Sequence, residues 1–342
     1  MKKIQGCNIL ADLAFNDNYK KIILPVQKDL ELFEETILKY FSKQEKEQKG
    51  EYSQILPIIK EFLSNKGKRL RPVLIFLFAR ALGKDVDSEC IKLAVINELI
   101  HNATLIHDDI IDCAAIRRGK KTLNFDYDSK LAVLAGDYLL SEVLNIMSDI
   151  SDDEIRKLHS KAVSKIILGE LNQYFNRFKL FSIEDYVKKS KDKTARLFEA
   201  GLLSVYYSLK DDINYPEEIK DNIKNFADNF GIGFQISNDI ENFNTPDKVN
   251  EDAHNGDFSA PFIYYAQQKL GNETAAINNI ALAVKTIRQD KNCDALPKSK
   301  KLAQNYLNLA IENISFLEDN LYKKAIIDLC NLYSGKINSN DG

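Results

Sequence analysis

The feature that most constrains the fold is an apolar helical pattern over residues 94–112 that runs into three aspartates. Its apolar positions recur with the period of an α-helix and not with the alternation of a β-strand. Asp108 and Asp112 are i and i+4, so their side chains lie on the same face of that helix, and Asp109 lies about 100° around it. The pattern predicts a long, largely buried helix with carboxylates at its end.

The three aspartates repel one another on this otherwise apolar helix. Like charges at i and i+4 cost about 0.2–0.5 kcal/mol in water, and the cost rises in a cavity unless a cation neutralises the charge. Oxygen ligands on a rigid helix suit Mg²⁺, which completes its shell with water and phosphate. Arg117 and Arg118 follow, and guanidinium groups bind phosphate through paired hydrogen bonds. The pattern predicts a Mg²⁺–diphosphate site; the alternative is a solvated helix end with a chance acidic cluster.

A basic segment, Gly-Lys-Arg-Leu-Arg-Pro at residues 67–72, stands before another apolar helix. Cationic side chains and unpaired backbone N–H groups come together at such a helix start, which favours anion binding. The alternative is a solvated basic turn of the same composition.

The rest of the chain predicts helix after helix, joined by short links. No stretch alternates as a strand does, and none of the Gly-rich phosphate-binding loops is present. The fold class is therefore all-α. The predicted helices cover residues 25–41, 51–65, 73–82, 88–112, 130–148, 152–178, 182–195, 217–243, 261–290, 299–319 and 321–334.

Length and composition bound the organisation of the chain. We expect one domain over residues 1–342, with a partly loose segment at 1–24 and a loose tail at 335–342. The net charge of −3 implies no nucleic acid partner. The sequence has neither a run of about 18 apolar residues nor an apolar signal segment, so no transmembrane helix is expected. Five scattered cysteines without metal-binding spacing are typical of a reduced cytoplasm.

Six short motifs follow one another between about residues 50 and 265. They are Gly-Lys-Arg-Leu-Arg-Pro at 67–72, Ile-His-Asn-Ala-Thr-Leu-Ile-His-Asp-Asp-Ile-Ile-Asp at 100–112, Arg-Arg-Gly at 117–119, Leu-Ala-Gly-Asp-Tyr-Leu at 134–139, Lys-Thr-Ala at 193–195 and Gly-Ile-Gly-Phe-Gln-Ile at 231–236. With this ordered set the chain resembles the polyprenyl synthetases, the trans-isoprenyl diphosphate synthases. The resemblance implies an isoprenoid-synthase-like bundle of antiparallel helices around a central cavity.

The resemblance also implies a role for each matched residue. Asp108 and Asp112 would bind Mg²⁺, with Asp109 in support, and the metal ions would hold an allylic diphosphate. Arg117 and Lys193 would clamp the same diphosphate. Its departure would leave an allylic cation, which the alkene of isopentenyl diphosphate attacks in a cavity that excludes water.

The remaining matched residues concern the second substrate and the reacting centre. The resemblance implies that isopentenyl diphosphate is bound by Lys68, Arg71, His101 and Arg118. Lys248, further along the chain, is implied to be an additional substrate-binding residue. The side chains implied to line the reacting centre are Thr194 and Gln235.

The second aspartate-rich motif departs from the family pattern. The family usually has Asp-Asp-x-x-Asp after Phe-Gln-x-x, but residues 238–242 read Asn-Asp-Ile-Glu-Asn. Asp239 remains as an implied metal ligand, and the two amides are neutral, weaker ligands for Mg²⁺. Asp257 falls where a second lysine is common, so a phosphate-binding cation is lost and an anion is added.

Four functions fit this combination. The first is an active synthase whose product is longer than farnesyl diphosphate, because Thr104 and Ala103 stand where a bulky residue would block the growing chain. The second is a terpene synthase or a prenyltransferase to a non-diphosphate acceptor. The third is a regulatory subunit of a heteromeric synthase, and the fourth is a helical scaffold without activity.

The resemblance further implies an assembly and a shared cavity. We expect a homodimer, and the helix over 130–148 is an interface candidate because its small residues permit close approach. We also expect the aspartates at 108–112 to face residues 238–242 across one cavity.

Overall fold

The computed structural model describes residues 16–47, 54–65, 67–117, 119–179, 182–209, 216–244, 255–270, 280–290 and 292–338. Nearly all of them are helical, which confirms the all-α prediction. The helices are α1 (16–23), α2 (Gln27–Glu47), α3 (Ile55–Ser64), α4 (Leu70–Ala81), α5 (Ser88–Ile111), α6 (Leu123–Asp126), α7 (Ser129–Ser148), α8 (Asp153–Phe175), α9 (Ile183–Ser190), α10 (Arg196–Ser208), α11 (Glu217–Asn244), α12 (Ala260–Leu270), α13 (Ile280–Gln289), α14 (Ala295–Asn313) and α15 (Leu321–Asn338). A π-helical turn, Lys191–Ala195, joins α9 to α10.

The sequence analysis missed a short antiparallel hairpin directly after α5. Its strands are β1 (Ile116–Arg117) and β2 (Lys120–Lys121). Strands of this length are too short to show an alternating pattern. The hairpin returns the chain toward the end of α5.

The two ends of the chain are more regular than expected. Residues 16–23 form α1 inside the segment predicted to be partly loose, and α15 continues to Asn338, past the start of the predicted tail. Residues 1–15 and 339–342 lie outside the described residues.

Contacts between residues divide the chain into two compact units. The first unit comprises Pro25–Ser160 and Ala200–Asn214, and the second comprises Met1–Leu24, Lys161–Glu199 and Tyr215–Gly342. Each unit combines segments that are distant in sequence. The expectation of a single domain over the whole chain stays a prediction.

The first unit is built around α5, which packs against α2, α4 and α7. α5 begins where the carboxylate of Asp87 accepts a hydrogen bond from the backbone N–H of Cys90 (2.8 Å), which caps the helix. α4 and α5 are apolar on nearly all sides, as expected of helices at the centre of a bundle. Gly136 of α7 permits a close approach to α5, because a Cβ there would overlap the imidazole of His107.

The second unit is built around α11, which packs against α14, α15 and the π-helical turn. Phe226, Phe230 and Phe234 follow one another at helical spacing, and neighbouring rings stack with centroids 5.6 and 6.1 Å apart. Tyr333 of α15 packs edge-on against Phe234, with centroids 4.9 Å apart. Aromatic pairs of this kind stabilise a core beyond the area that they bury, so this face of α11 is firmly held.

α7 has a second property, which concerns membranes. Within the described part of the chain it is the one helix long and apolar enough, by length and composition, to cross a bilayer, and 44% of its apolar stretch is buried. A single helix of this kind is weak evidence, because the core helix of a water-soluble protein passes the same test. The expected absence of a transmembrane segment stays a prediction.

Candidate active site

The first cluster of candidate residues lies at the C-terminal end of α5, in the first unit. Asp108 and Asp112 are both partly exposed. The backbone N–H of Asp112 donates to the carbonyl oxygen of Asp108 (2.8 Å), so the last helical turn stacks the two residues. In the residues that the structure describes, no three His, Cys, Asp or Glu side chains are grouped to hold a metal ion. Two carboxylates on one face are, however, what a protein usually contributes to a Mg²⁺ site.

Asp109 lies in a different environment from its neighbours. Its side chain is only 4% exposed, and its Oδ1 accepts a hydrogen bond from Nε of Arg117 (2.6 Å). The hairpin after α5 brings the guanidinium back onto the helix. Asp109 and Arg117 are therefore already bound to each other. To contact a metal ion or a diphosphate, either side chain would have to share or break this ion pair.

The basic segment before α4 separates into one buried cation and two more accessible ones. Arg69 has a left-handed backbone (φ 50°), and its buried guanidinium donates to Glu34 of α2 (2.7 Å) and to Glu98 of α5 (2.8 Å). This side chain therefore ties two helices to the start of α4. Lys68 is exposed and Arg71 is partly exposed, so they remain the candidates for binding an anion.

The second cluster lines a polar cleft within the second unit. Side chains from α8, α9, the π-helical turn, α11 and the segment before α12 contribute to it. The charged and hydrogen-bonding residues that matter most are Tyr186, Lys189, Lys193, Gln235, Asp239 and Asp257.

A chain of hydrogen bonds fixes the α11 side of the cleft. Oγ1 of Thr194 donates to Oε1 of Gln235 (2.8 Å), and Nε2 of Gln235 donates to Oδ1 of Asp239 (2.9 Å). The hydroxyl of Tyr186 donates to the other carboxylate oxygen of Asp239 (2.5 Å). Both oxygens of this carboxylate therefore already accept hydrogen bonds from protein groups.

Burial controls the protonation of the Asp239–Tyr186 pair. It raises the pKa of Asp239 to about 6, against the lowering effect of the hydrogen bond from Tyr186 and the charge of Lys189. Burial and the adjacent carboxylate raise the pKa of Tyr186 well above its ordinary value. Tyr186 is thus a proton-bearing donor at neutral pH, and Asp239 is mainly ionised.

The π-helical turn positions the neighbouring Lys193 and Thr194. The turn packs so closely against α11 that a Cβ on Gly231 would lie 2.5 Å from Cα of Ala195. Single π-helical turns are rare and often occur at functional sites. Nζ of Lys193 lies 2.5 Å from Oε1 of Glu170, so the ammonium is oriented at the edge of the cleft.

Asp257 does not act as an uncompensated anion. Its Oδ1 forms an ion pair with Nζ of Lys189, whose side chain is only 11% exposed. The anion that Asp257 adds is therefore compensated by the ammonium of Lys189 from α9.

The structure places the predicted residues in two groups. Thr194, Gln235, Lys193 and Asp239 come together in the second unit. The group in the first unit is Lys68, Arg71, His101, Asp108, Asp109, Asp112 and Arg117. Arg118, Lys248 and the side chain of Asn242 lie outside the described residues. The predicted cavity between 108–112 and 238–242 stays a prediction.

Two cleft residues, Tyr186 and Lys189, were missed by the sequence analysis. A signal for them was present, because Tyr186, Lys189 and Lys193 follow the spacing of one helix face. Their partners could not be found in this way, since Asp239 and Asp257 are more than fifty positions away in the sequence.

Comparisons with known proteins identify relatives that match nearly the whole chain. The chain is 29% identical over 336 residues to a prenyl transferase of Synechocystis sp., covering 92% of this chain and 98% of that one. It is 26% identical over 333 residues to an all-trans-nonaprenyl-diphosphate synthase (geranyl-diphosphate specific) of Rhodobacter capsulatus, covering 94% and 99%. The crystal structure of a decaprenyl diphosphate synthase from Rhodobacter capsulatus superposes with a TM-score of 0.82 at 22% identity, covering 93% and 99%, which establishes the fold.

The family assignment follows from the sequence match itself. The profile of the family described as Polyprenyl synthetase matches residues 53–296, most of the chain and all of the motifs discussed above. The resemblance seen in the sequence is thereby confirmed, and the chain belongs to the polyprenyl synthetase family of prenyl-transferring enzymes.

Proposed function

We propose that this protein condenses isopentenyl diphosphate with an allylic diphosphate, in the presence of Mg²⁺, to give a polyprenyl diphosphate longer than farnesyl diphosphate. The observation that carries the proposal is the pair Asp108 and Asp112, stacked and partly exposed on one face of α5 in a member of this family. The similarity to the all-trans-nonaprenyl-diphosphate synthase of Rhodobacter capsulatus supports the product class.

The donor set at the end of α5 fits Mg²⁺. Asp108 and Asp112 would hold it through carboxylate oxygens, which leaves other positions for water and phosphate. Bound there, Mg²⁺ supplies positive charge that stabilises the departing diphosphate. Asp239 fits less well, because both of its oxygens accept hydrogen bonds from Tyr186 and Gln235.

The chain's own residues divide the remaining work. Lys193 would bind the allylic diphosphate, while Thr194 and Gln235 line the reacting centre as a fixed hydrogen-bonded pair. Lys68, Arg71 and His101 would bind isopentenyl diphosphate. The buried apolar side chains of α5 that precede Asp108 would keep water from the allylic cation.

Product length would be set on α5. Ala103, one turn before Asp108, is fully buried and small, and Ile100 lies a further turn away. Neither side chain is large enough to close the path of a growing chain near the first aspartate. This is why we propose a product longer than farnesyl diphosphate.

Assembly and location belong to the same proposal. α7 exposes Leu134 (62%) and Leu144 (72%), an apolar face that a homodimer would cover. Sedimentation as a monomer at micromolar concentration would contradict the dimer. We place the protein in the cytoplasm, which the unpaired state of all four described cysteines supports.

A second candidate function is prenyl transfer to an acceptor without a diphosphate. It is favoured by one observation: each oxygen of Asp239, the first carboxylate of the second motif, already accepts a hydrogen bond from the protein. This function predicts turnover of an allylic diphosphate without consumption of isopentenyl diphosphate.

One assay separates the two functions. Purified protein is incubated with Mg²⁺, isopentenyl diphosphate and each allylic primer in turn, and the products are identified by mass. We expect isoprene units to be added to a primer, and Asp108→Asn, which keeps the shape of the side chain, should abolish the addition. A folded wild-type protein that consumes no isopentenyl diphosphate with any primer would overturn the first function.

A further inference from the structure

Lys189 is a partly buried cation of the second-unit cleft and is not among the residues discussed so far as substrate ligands. Its side chain is 11% exposed, and its ammonium pairs with Asp257. Its side chain also lines the same cleft as the carboxylate of Asp239. One ammonium therefore shares the cleft with two carboxylates.

This arrangement matters because Asp239 and Asp257 would otherwise be two like charges in a partly buried site. Such a pair either shifts its protonation or recruits a cation. Lys189, paired with Asp257 and lining the same cleft as Asp239, balances part of this charge without a metal ion. The ammonium also carries three donors, more than Asp257 can use alone.

The cleft has a second lysine in a matching position. Lys193 stands one helical turn after Lys189 on the same face, and both side chains line the cleft. Two ammonium groups on one wall form a site for an anion with several oxygens, such as a diphosphate. Lys188, by contrast, is exposed and is absent from the lining.

We propose that Lys189 is a substrate-binding residue: oriented by Asp257, its ammonium contacts the allylic diphosphate beside Lys193 and provides the charge that a divalent cation at the second motif would otherwise provide. The proposal rests on the proposed function, since it names a further contact for the same allylic diphosphate. Neither Lys189 nor Asp257 belongs to the six sequence motifs described above.

The competing explanation is a purely structural ion pair. Lys189–Asp257 would then only fasten α9 to the segment before α12, as the backbone hydrogen bond from Phe178 to Gly256 (3.1 Å) fastens the turn after α8 to that segment. If the pair is only structural, removing both of its charges together should change the stability of the protein and leave its affinity for the ligand unchanged.

The test measures binding without catalysis. Geranyl thiolodiphosphate, which resists ionisation, is titrated by calorimetry into the full chain, first with EDTA and then at a series of Mg²⁺ concentrations. The key variant is Lys189→Met with Asp257→Asn, which removes both charges together and leaves none unpaired. Lys188→Met is the matched control for the loss of one positive charge.

We expect the double variant to bind the metal-free ligand about tenfold more weakly, or worse, as for the loss of one charge-assisted contact. It should also need more Mg²⁺ for half-maximal binding, while Lys188→Met stays within about twofold of the wild type. If the double variant melts early, Lys189→Gln provides the same test, because it keeps a donor for Asp257 without the charge.

The outcomes separate the two proposals. A double variant with wild-type affinity, in a protein whose wild type binds the probe and elongates primers, would overturn the role of Lys189 alone. A folded wild type that binds no probe at any Mg²⁺ concentration would overturn the proposed function and this inference with it.

Discussion

The hydroxyl of Tyr186 donates to Oδ2 of Asp239 at 2.5 Å, across 53 positions of sequence. The bond joins α9, which carries Lys189, to the second aspartate-rich motif on α11. It also satisfies a carboxylate that burial would otherwise penalise. This motif is therefore held by protein donors and not only by the cations expected of the family.

The first prediction concerns Tyr186→Phe. The substitution keeps the ring and removes one donor from a buried carboxylate, so the free energy of unfolding should fall by about 1–3 kcal/mol. The pKa of Asp239 should rise further, because the hydrogen bond from Tyr186 lowers it in the wild type and is absent from the variant. Urea unfolding at pH 7 measures the first effect. The exposed Tyr174→Phe on α8 is the control and should change stability by less than about 0.5 kcal/mol.

The second prediction separates two neighbouring cations, Arg69 and Lys68. Arg69→Met leaves Glu34 and Glu98 without their buried partner and should destabilise the protein by about 3–5 kcal/mol. Lys68→Met should leave the unfolding free energy within about 0.5 kcal/mol and weaken isopentenyl diphosphate binding. Thermal unfolding and calorimetry measure the two effects. Equal losses of stability in both variants would contradict the division between a structural and a binding cation.

The third prediction concerns the two amides of the second motif. Asn238→Asp together with Asn242→Asp returns hard anionic oxygens to a Mg²⁺ site. The Mg²⁺ concentration for half-maximal turnover should fall by about tenfold to a hundredfold, the size of one charge-assisted ligand. Adding Asp257→Asn should reduce the gain, because Asp257 orients the ammonium of Lys189 toward the diphosphate.

Two results would count against this interpretation of the motif. If neither variant changes the Mg²⁺ requirement, the amides do not represent a weakened metal site. If isopentenyl diphosphate is also not consumed, transfer to an acceptor without a diphosphate becomes the better explanation.

The fourth prediction is a pH dependence that arises from His159. This imidazole is buried in α8, its Nδ1 lies 3.0 Å from the carbonyl oxygen of Ile155, and its Nε2 has no hydrogen-bond partner in the described structure. Burial lowers its pKa from 6.5 to about 4. The unfolded chain therefore binds a proton between pH 6.5 and 4 that the folded protein does not, so this contribution to stability is lost as the pH falls through that window.

The measurement is urea unfolding of the wild type and His159→Met at pH 7 and pH 5. Because of this one group, the free energy of unfolding of the wild type should fall by about 2 kcal/mol more than that of the variant between pH 7 and pH 5. An equal loss in both proteins would show that His159 does not resist protonation in the folded state.

Local periodic signals in the sequence were reliable guides to the fold. α5 was predicted over 88–112 and is found at Ser88–Ile111, because its apolar period is long and uninterrupted. α9 likewise begins at a local signal, because Oγ of Ser182 accepts a hydrogen bond from the backbone N–H of Asp185 (3.1 Å) and caps the helix. Both features depend on neighbours in sequence, whose geometry the helix itself sets.

The parts of the site that the sequence could not predict depend on tertiary contacts. The pairing of Lys189 with Asp257 joins positions 68 apart, so charge counting alone made Asp257 an unbalanced anion. Arg69 and Lys68 are adjacent and similar in charge, yet only the packing of α2 and α5 makes one structural. The π-helical turn at Lys193 likewise has no periodic signature, since it depends on the close approach of α11.

The last prediction tests where the growing prenyl chain ends. Ala103 is fully buried one turn before Asp108, so Ala103→Phe should place a ring below the reacting centre and shorten the product by one or more isoprene units. Overpacking also destabilises a core by about 1–3 kcal/mol, but a less stable enzyme makes less product and not shorter product. Mass analysis of products, normalised to conversion, separates the two effects. Thr104→Ser, which adds no volume at the neighbouring position, should leave the distribution unchanged. A wild-type distribution from folded Ala103→Phe would mean that Ala103 only packs α5 against its neighbours and that the chain extends elsewhere.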